Sequence, residues 1–187
     1  MSARDSYAPG PATGARIHKE GEQWTLVLVR ELSHSRDHVW QALTDPAQLR
    51  EWAPFDVDHP LDTVGATINL TTVGAPSELV SETQVIHAHA PSLLEFTWGG
   101  GTLRWELHVV GSEARPTGTR LTLWHNIDRR YIAMGAAGWH ICLDALSALL
   151  ANDPIGRRVG MAMMTDKGWQ RLRAEYAQEF DVPEMPQ

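Results

Sequence analysis

The stretch Tyr131 to Asn152, YIAMGAAGWHICLDALSALLAN, constrains the fold more than any other part of the chain. It holds no proline, and its length gives about five or six helical turns at 3.6 residues each. Trp139, Cys142, Leu143, Leu146, Leu149 and Leu150 recur at helical spacing, while His140, Asp144 and Ser147 fall on another face. Ala133, Ala136, Ala137 and Gly138 keep the upstream half slim. Asn152, Asp153 and Pro154 end the helix. So broad an apolar stripe has to be covered, and the residues upstream are expected to supply a curved sheet as its cover.

Those residues read as one strand, two short helices and six more strands. Residues 24–32 (WTLVLVREL) form the first strand. Ser33 or Ser35 caps a short helix from Arg36 to Leu43, and Thr44 or Asp45 ahead of Pro46 caps a second that runs to Trp52. A DNA-binding helix–turn–helix needs a basic recognition helix, and DPAQLREW is not basic. Residues 56–59, 66–73, 79–89, 93–98, 102–110 and 119–127 then read as strands separated by short turns, which means an antiparallel meander. Alternation puts Leu103, Trp105 and Leu107 on one face, and Leu121, Leu123 and His125 on one face of the last strand. Beyond the long helix, a Met-rich loop leads to a final helix, about 168–180. Its stripe of Trp169, Leu172, Tyr176 and Phe180 has to pack on the body.

This order divides the 187 residues into a Pro/Gly-rich leader, 1–21, expected to pack poorly, a main domain, 22–152, and a C-terminal loop and helix, 153–187, on the same domain. An apolar content of 43% suits a globular chain, and a net charge of −7 argues against nucleic acid and anionic membranes as partners. No apolar run approaches the about 20 residues that span a bilayer, and the polar N-terminus has no signal-peptide pattern, so a cytoplasmic location is the expectation. Cys142 is the only cysteine, which rules out an intramolecular disulfide and a cysteine-based metal site; it reads as a small buried hydrophobe.

Four motifs occur in a telling order: VWQALTDP (39–46, with Trp52 after it), PSLLEFTW (91–98), GTRLTLWH (118–125) and GWHICLDAL (138–146). Together they resemble the START-like (SRPBCC) superfamily, and within it the bacterial proteins related to the C-terminal domain of the heat-shock-protein-90 ATPase activator. The resemblance spans about residues 24–152. It implies an α+β helix-grip fold: a seven-stranded curved antiparallel sheet around a long C-terminal helix, with two short helices, to which this chain adds one extra C-terminal helix. Such proteins often carry paired glycines before the strand at 66–73, where this chain has only Gly65. The resemblance also implies three kinds of function: binding of a small molecule, co-chaperone contact with a chaperone partner, and cyclase- or hydratase-type catalysis on aromatic substrates.

The residues favour the first. No phosphate loop, nucleophile elbow or metalloprotease signature is present, and no cofactor is called for. His87 and His89 lie two apart on a strand and face one way, yet no third metal ligand is near in sequence. His140 and Asp144, one helical turn apart, read as a surface pair without a nucleophile. Eight tryptophans can fill a core or line an apolar pocket. The expected site is an enclosed space between sheet and helix, bounded by Phe96, Trp98, Trp105, Leu121, Leu123, His125, Trp139 and Leu143. It would take a small apolar or aromatic ligand, with His125 as the polar group that orients it. The alternative for His125 is a structural role, satisfied by a backbone carbonyl. Oligomeric state is left open by the sequence.

Overall fold

Two side-chain caps set the helical entry to the fold. Ser35 accepts a hydrogen bond from the His38 amide and starts α1 (Arg36–Thr44). Asp45 accepts from the Gln48 amide and starts α2 (Pro46–Trp52), with proline in the first turn, where a missing N–H costs nothing. The Trp52 indole donates to the Ala42 carbonyl at 2.9 Å, which locks the two helices together and satisfies a buried donor.

The computed structural model describes residues 7–75 and 79–185. Its strands are β1 (Ala15–Glu20), β2 (Gln23–Leu32), β3 (Phe55–Val57), β4 (Thr67–Thr72), β5 (Leu79–His89), β6 (Leu93–Trp98), β7 (Gly101–Ser112) and β8 (Arg115–Asn126). They form one antiparallel sheet in the order β1-β2-β8-β7-β6-β5-β4-β3. The chain leaves β2, crosses through α1 and α2 to the far edge, and returns strand by strand until β8 closes on β2. The expected seven strands are thus eight, because part of the supposed leader is β1, paired with β2 from Ala15–Leu28 to Glu20–Gln23. The alternation holds: Leu103, Trp105 and Leu107 are buried, and so are Leu121, Leu123 and His125.

The apolar stretch is α3 (Ile132–Leu150), entered through a 3-10 turn at Arg129–Tyr131. Counted with that turn, Arg129–Leu150 is long and apolar enough to cross a bilayer, contrary to the expectation from the sequence. Here it is a core helix, with Ile132, Ala133, Ala136, Ile141, Leu143 and Leu146 buried against the sheet and the other helices. Downstream, α4 (Lys167–Phe180) packs on α3; Trp169, Leu172 and Tyr176 are buried, and Phe180 is half-buried and stacked on Tyr176.

Residues 7–14, also within the expected leader, form a strap over α3 and α4. Tyr7 Oη donates to Asp144 Oδ2 at 2.7 Å, Arg171 donates to the carbonyls of Pro9 and Gly10, and the Ala12 amide donates to Glu175 Oε2 at 2.8 Å. Tyr176 Oη donates to the Thr13 carbonyl at 3.0 Å and lies 2.8 Å from His140 Nδ1. His140 and Asp144 are therefore not a surface pair: His140 is buried beneath strap and α4, with its Nε2 3.6 Å from Asp144. Burial, helped by the Arg30 charge, holds His140 below its ordinary pKa against the opposing pull of Asp144.

This clamp generates a prediction. Truncating a buried aromatic commonly costs about 3–5 kcal/mol, which for a chain of this size lowers the melting temperature by on the order of 10 °C. Trp169→Ala is expected to show that loss in a calorimetric scan. Tyr176→Phe keeps the ring but strips His140 and Thr13 of their shared partner, and is expected to cost about 1–3 kcal/mol in urea titrations.

Candidate functional site

The helix α3 leaves room where it carries glycine. A Cβ at Gly138 would meet nothing within 4 Å, whereas one at Gly135 would press on Ile127 at 2.8 Å. Ala133 and Ala136, expected to leave space, are themselves packed away. Beside Gly138 lies a cavity of about 360 Å³. Its sheet side is Thr72, Trp98, His125 and Ile127; its helix side is Met134, Gly138, Trp139 and Cys142. Its third wall comes from the segment after α3, through Arg158, Val159, Met161, Met163, Met164 and Trp169.

Backbone contacts hold that third wall in place. The Met161 amide donates to the Gly74 carbonyl at 3.0 Å, and a Cβ on Gly74 would come within 2.7 Å of Gly160 Cα, so the crossing requires that neither carry a side chain. Both glycines have positive φ, which side chains disfavour in any case. Arg157 pairs with Asp56 and also donates to the Leu49 carbonyl, anchoring the segment to α2 and β3. Arg158 lies over the Tyr7 ring at 5.0 Å, so the strap also reaches the cavity wall.

A set of rings runs from the core into the cavity. Trp52 meets Trp105 edge to face at 6.0 Å, Trp105 meets Trp139 at 5.5 Å, and Trp139 meets Trp98 at 5.8 Å. Trp98 stacks on His125 at 5.6 Å and donates its indole N–H to Thr72 Oγ1 at 3.3 Å. Trp139 donates its indole N–H to His125 Nδ1 at 3.1 Å. With 9% of its surface exposed, His125 is desolvated, and its pKa falls to about 4. The ring is therefore neutral at pH 7. Burial likewise pushes the Cys142 thiol up to about 12, leaving it a protonated, apolar group.

Of the eight expected site residues, Trp98, His125 and Trp139 line the cavity. Phe96, Trp105, Leu121, Leu123 and Leu143 lie behind it in the core, each at most 1% exposed. Nor is the space enclosed: it opens to the surface and shares Trp98, His125, Ile127 and Tyr131 with an outer groove of about 1120 Å³ beneath the Gly99–Gly101 turn. The methionines were the signal missed in the sequence; three in one loop before an amphipathic helix mark a pliable apolar wall. His125 is satisfied by an indole rather than by the backbone carbonyl considered for its structural role. His87 and His89 sit with ring centroids 5.9 Å apart, and His87 Nδ1 meets Glu95 at 2.9 Å. Among the described residues no three His, Cys, Asp or Glu side chains converge on a point that would hold a metal ion.

The buried imidazole makes stability depend on pH. Its pKa is about 4 in the fold against 6.5 for the free group, so protons prefer the unfolded chain between these values. Its contribution is intact above about pH 6.5 and is lost as pH falls toward about 4, by at most about 1.4 kcal/mol per pH unit. In urea titrations from pH 4 to 8, His125→Gln, whose amide oxygen can still accept from Trp139, is expected to flatten that part of the wild-type curve.

No functionally curated sequence matches the chain. Solved structures match in fold. EF2215 from Enterococcus faecalis superposes with a TM-score of 0.66 at 16% identity, over 88% of this chain and 89% of that one. CalU16 from Micromonospora echinospora gives 0.59 at 22% identity, over 92% and 98%. BPP1335 from Bordetella parapertussis gives 0.58 at 22% identity, over 94% of each chain. They share the helix-grip fold that the motifs implied. The family model described as activator of Hsp90 ATPase homolog 1-like protein matches residues 33–151, and the chain belongs to that family.

Proposed function

We propose that the protein binds a small, mainly apolar, ring-bearing molecule in the cavity between α3, β8 and the Met161–Thr165 turn. The observation that carries this reading is the cavity itself. About 360 Å³ lies at the lower end of the range usual for small-molecule sites, and the wall is apolar with few polar groups. Methionine thioethers from Met134, Met161, Met163 and Met164 adapt to a ring edge better than branched side chains do. Gly138 supports the reading too: a glycine in mid-helix is less favourable than alanine by about 0.5–1 kcal/mol, and the space in front of it would accept a larger side chain.

The co-chaperone alternative rests on the family description alone. Catalysis would require a partner for His125 in proton transfer, and among the described residues the cavity wall carries no Asp or Glu. Both features favour binding.

Gly138 provides the test. Gly138→Leu is expected to fill the cavity and weaken tetralin binding at least tenfold in titration calorimetry, with a melting temperature at or above wild type. Gly138→Ala is expected to be more stable than wild type and to bind within a few-fold of it. Undiminished binding by the folded Gly138→Leu protein would place the ligand elsewhere. Absence of binding to the wild type, together with no small molecule retained in native mass spectrometry, would remove the binding reading.

A further inference from the structure

The indole N–H is a donor only, so the nitrogen it meets must present a lone pair. Trp139 Nε1 donates to His125 Nδ1 at 3.1 Å within the buried ring set. In a neutral imidazole with Nδ1 accepting, the single proton sits on Nε2. That N–H finds no partner among the described residues, nor is Nε2 one of the sealed-off polar atoms such as His34 Nδ1 and Trp124 Nε1. It therefore meets the open space, and His125 lines both the cavity and the outer groove.

We infer that the cavity selects its ligand through a hydrogen-bond acceptor, a carbonyl, ether or phenolic oxygen on a ring system, received by His125 Nε2–H, and that Trp139 imposes this choice by fixing the imidazole tautomer. The inference rests on the binding reading above and adds the polarity of the ligand to it. The other side-chain donors on the wall are weaker, less buried or set against a ring. Thr72, whose hydroxyl accepts from Trp98, is only half-buried, the Cys142 thiol is a weak donor, the Arg158 guanidinium lies over the Tyr7 ring, and Tyr131 stands at the mouth, 42% exposed with the Arg130 guanidinium over its ring. Stacking of Trp98 on His125 keeps the imidazole plane in place, so the donor has a set direction. A ring lying against Trp98 and Trp139, with its edge on the methionine sulfurs, would bring an oxygen substituent to Nε2. An apolar ring without an acceptor leaves that N–H desolvated and unpaired, which is the costly outcome for a buried donor. A ligand offering only a donor is excluded for the same reason, since two N–H groups would face each other.

Three two-ring probes test this by calorimetry: 1-tetralone, which carries an acceptor; tetralin, which carries neither group; and indole, which carries only a donor. In His125→Phe relative to the wild type, the affinity ratio of tetralone to tetralin is expected to fall about tenfold, while the indole to tetralin ratio does not fall. Trp139→Phe leaves His125 in place but frees Nδ1; it is expected to raise the indole to tetralin ratio and lower the tetralone ratio. Imidazole ¹⁵N spectra of the wild-type protein at pH 7 need no variant and are expected to show the His125 proton on Nε2, with scalar coupling to that nitrogen. A proton on Nδ1, or a tetralone ratio unchanged in both folded variants, would overturn the inference while leaving binding itself intact. If none of the three probes binds the wild type and native mass spectrometry shows no retained small molecule, the binding reading falls, and the polarity inference with it.

Discussion

The hydrogen bond from Trp139 to His125 joins the two halves of the architecture. One partner is on α3, the other on the last strand of the sheet, and both are almost fully buried. Around it Trp98, Trp105 and Trp139 meet at edge-to-face angles that suit ring quadrupoles, and Trp52 extends the set down to α2. Loss of either partner would leave an unpaired polar atom in a dry interior, which is costlier than loss of an apolar contact. The helix can therefore neither slide along the sheet nor rotate on it without breaking this junction. Its rotation decides in turn that Gly138, rather than a bulky side chain, looks into the space beside His125.

Much of the fold was legible because the sheet has one buried face. Alternation in Leu103–Leu107 and Leu121–His125 follows directly from that, and the caps at Ser35 and Asp45 are local enough to be seen in a few residues. The strand β1 was not legible, and its burial explains why: Ala15 and Ile17 are half-buried and the rest exposed, so ARIHKE shows no apolar face. The strap of residues 7–14 has no period at all. Its partners, Asp144, Arg171, Glu175 and Tyr176, lie more than a hundred residues away, and only the tertiary fold brings them near. The same distance hid the burial of His140, whose cover is Tyr176 on another helix.

At the candidate site, period-two reasoning identified the correct face but not the depth along it. Trp98, His125 and Trp139 reach the cavity, whereas Trp105, Leu121 and Leu123 share their face and stop in the core. Depth depends on how the sheet curves and on where α3 thins, and neither is encoded in a strand's own pattern. The third wall was invisible for a different reason. It is a 3-10 turn and flanking loop, held by the contact of Gly74 with Gly160, and irregular segments carry no periodic signal.

That third wall has a consequence for how the chamber is assembled and diversified. The family match ends at residue 151, while Arg158, Met161, Met163, Met164 and Trp169 all lie beyond it. The matched region thus supplies the imidazole, Trp98, Trp139 and the helix, and the segment that follows it supplies the remaining side. The closing wall follows the grip in the chain, so the chamber is complete only where the segment after α3 folds back over it and α4 docks on α3. Substitutions in that segment can alter the breadth of the chamber with the Trp139–His125 junction left untouched.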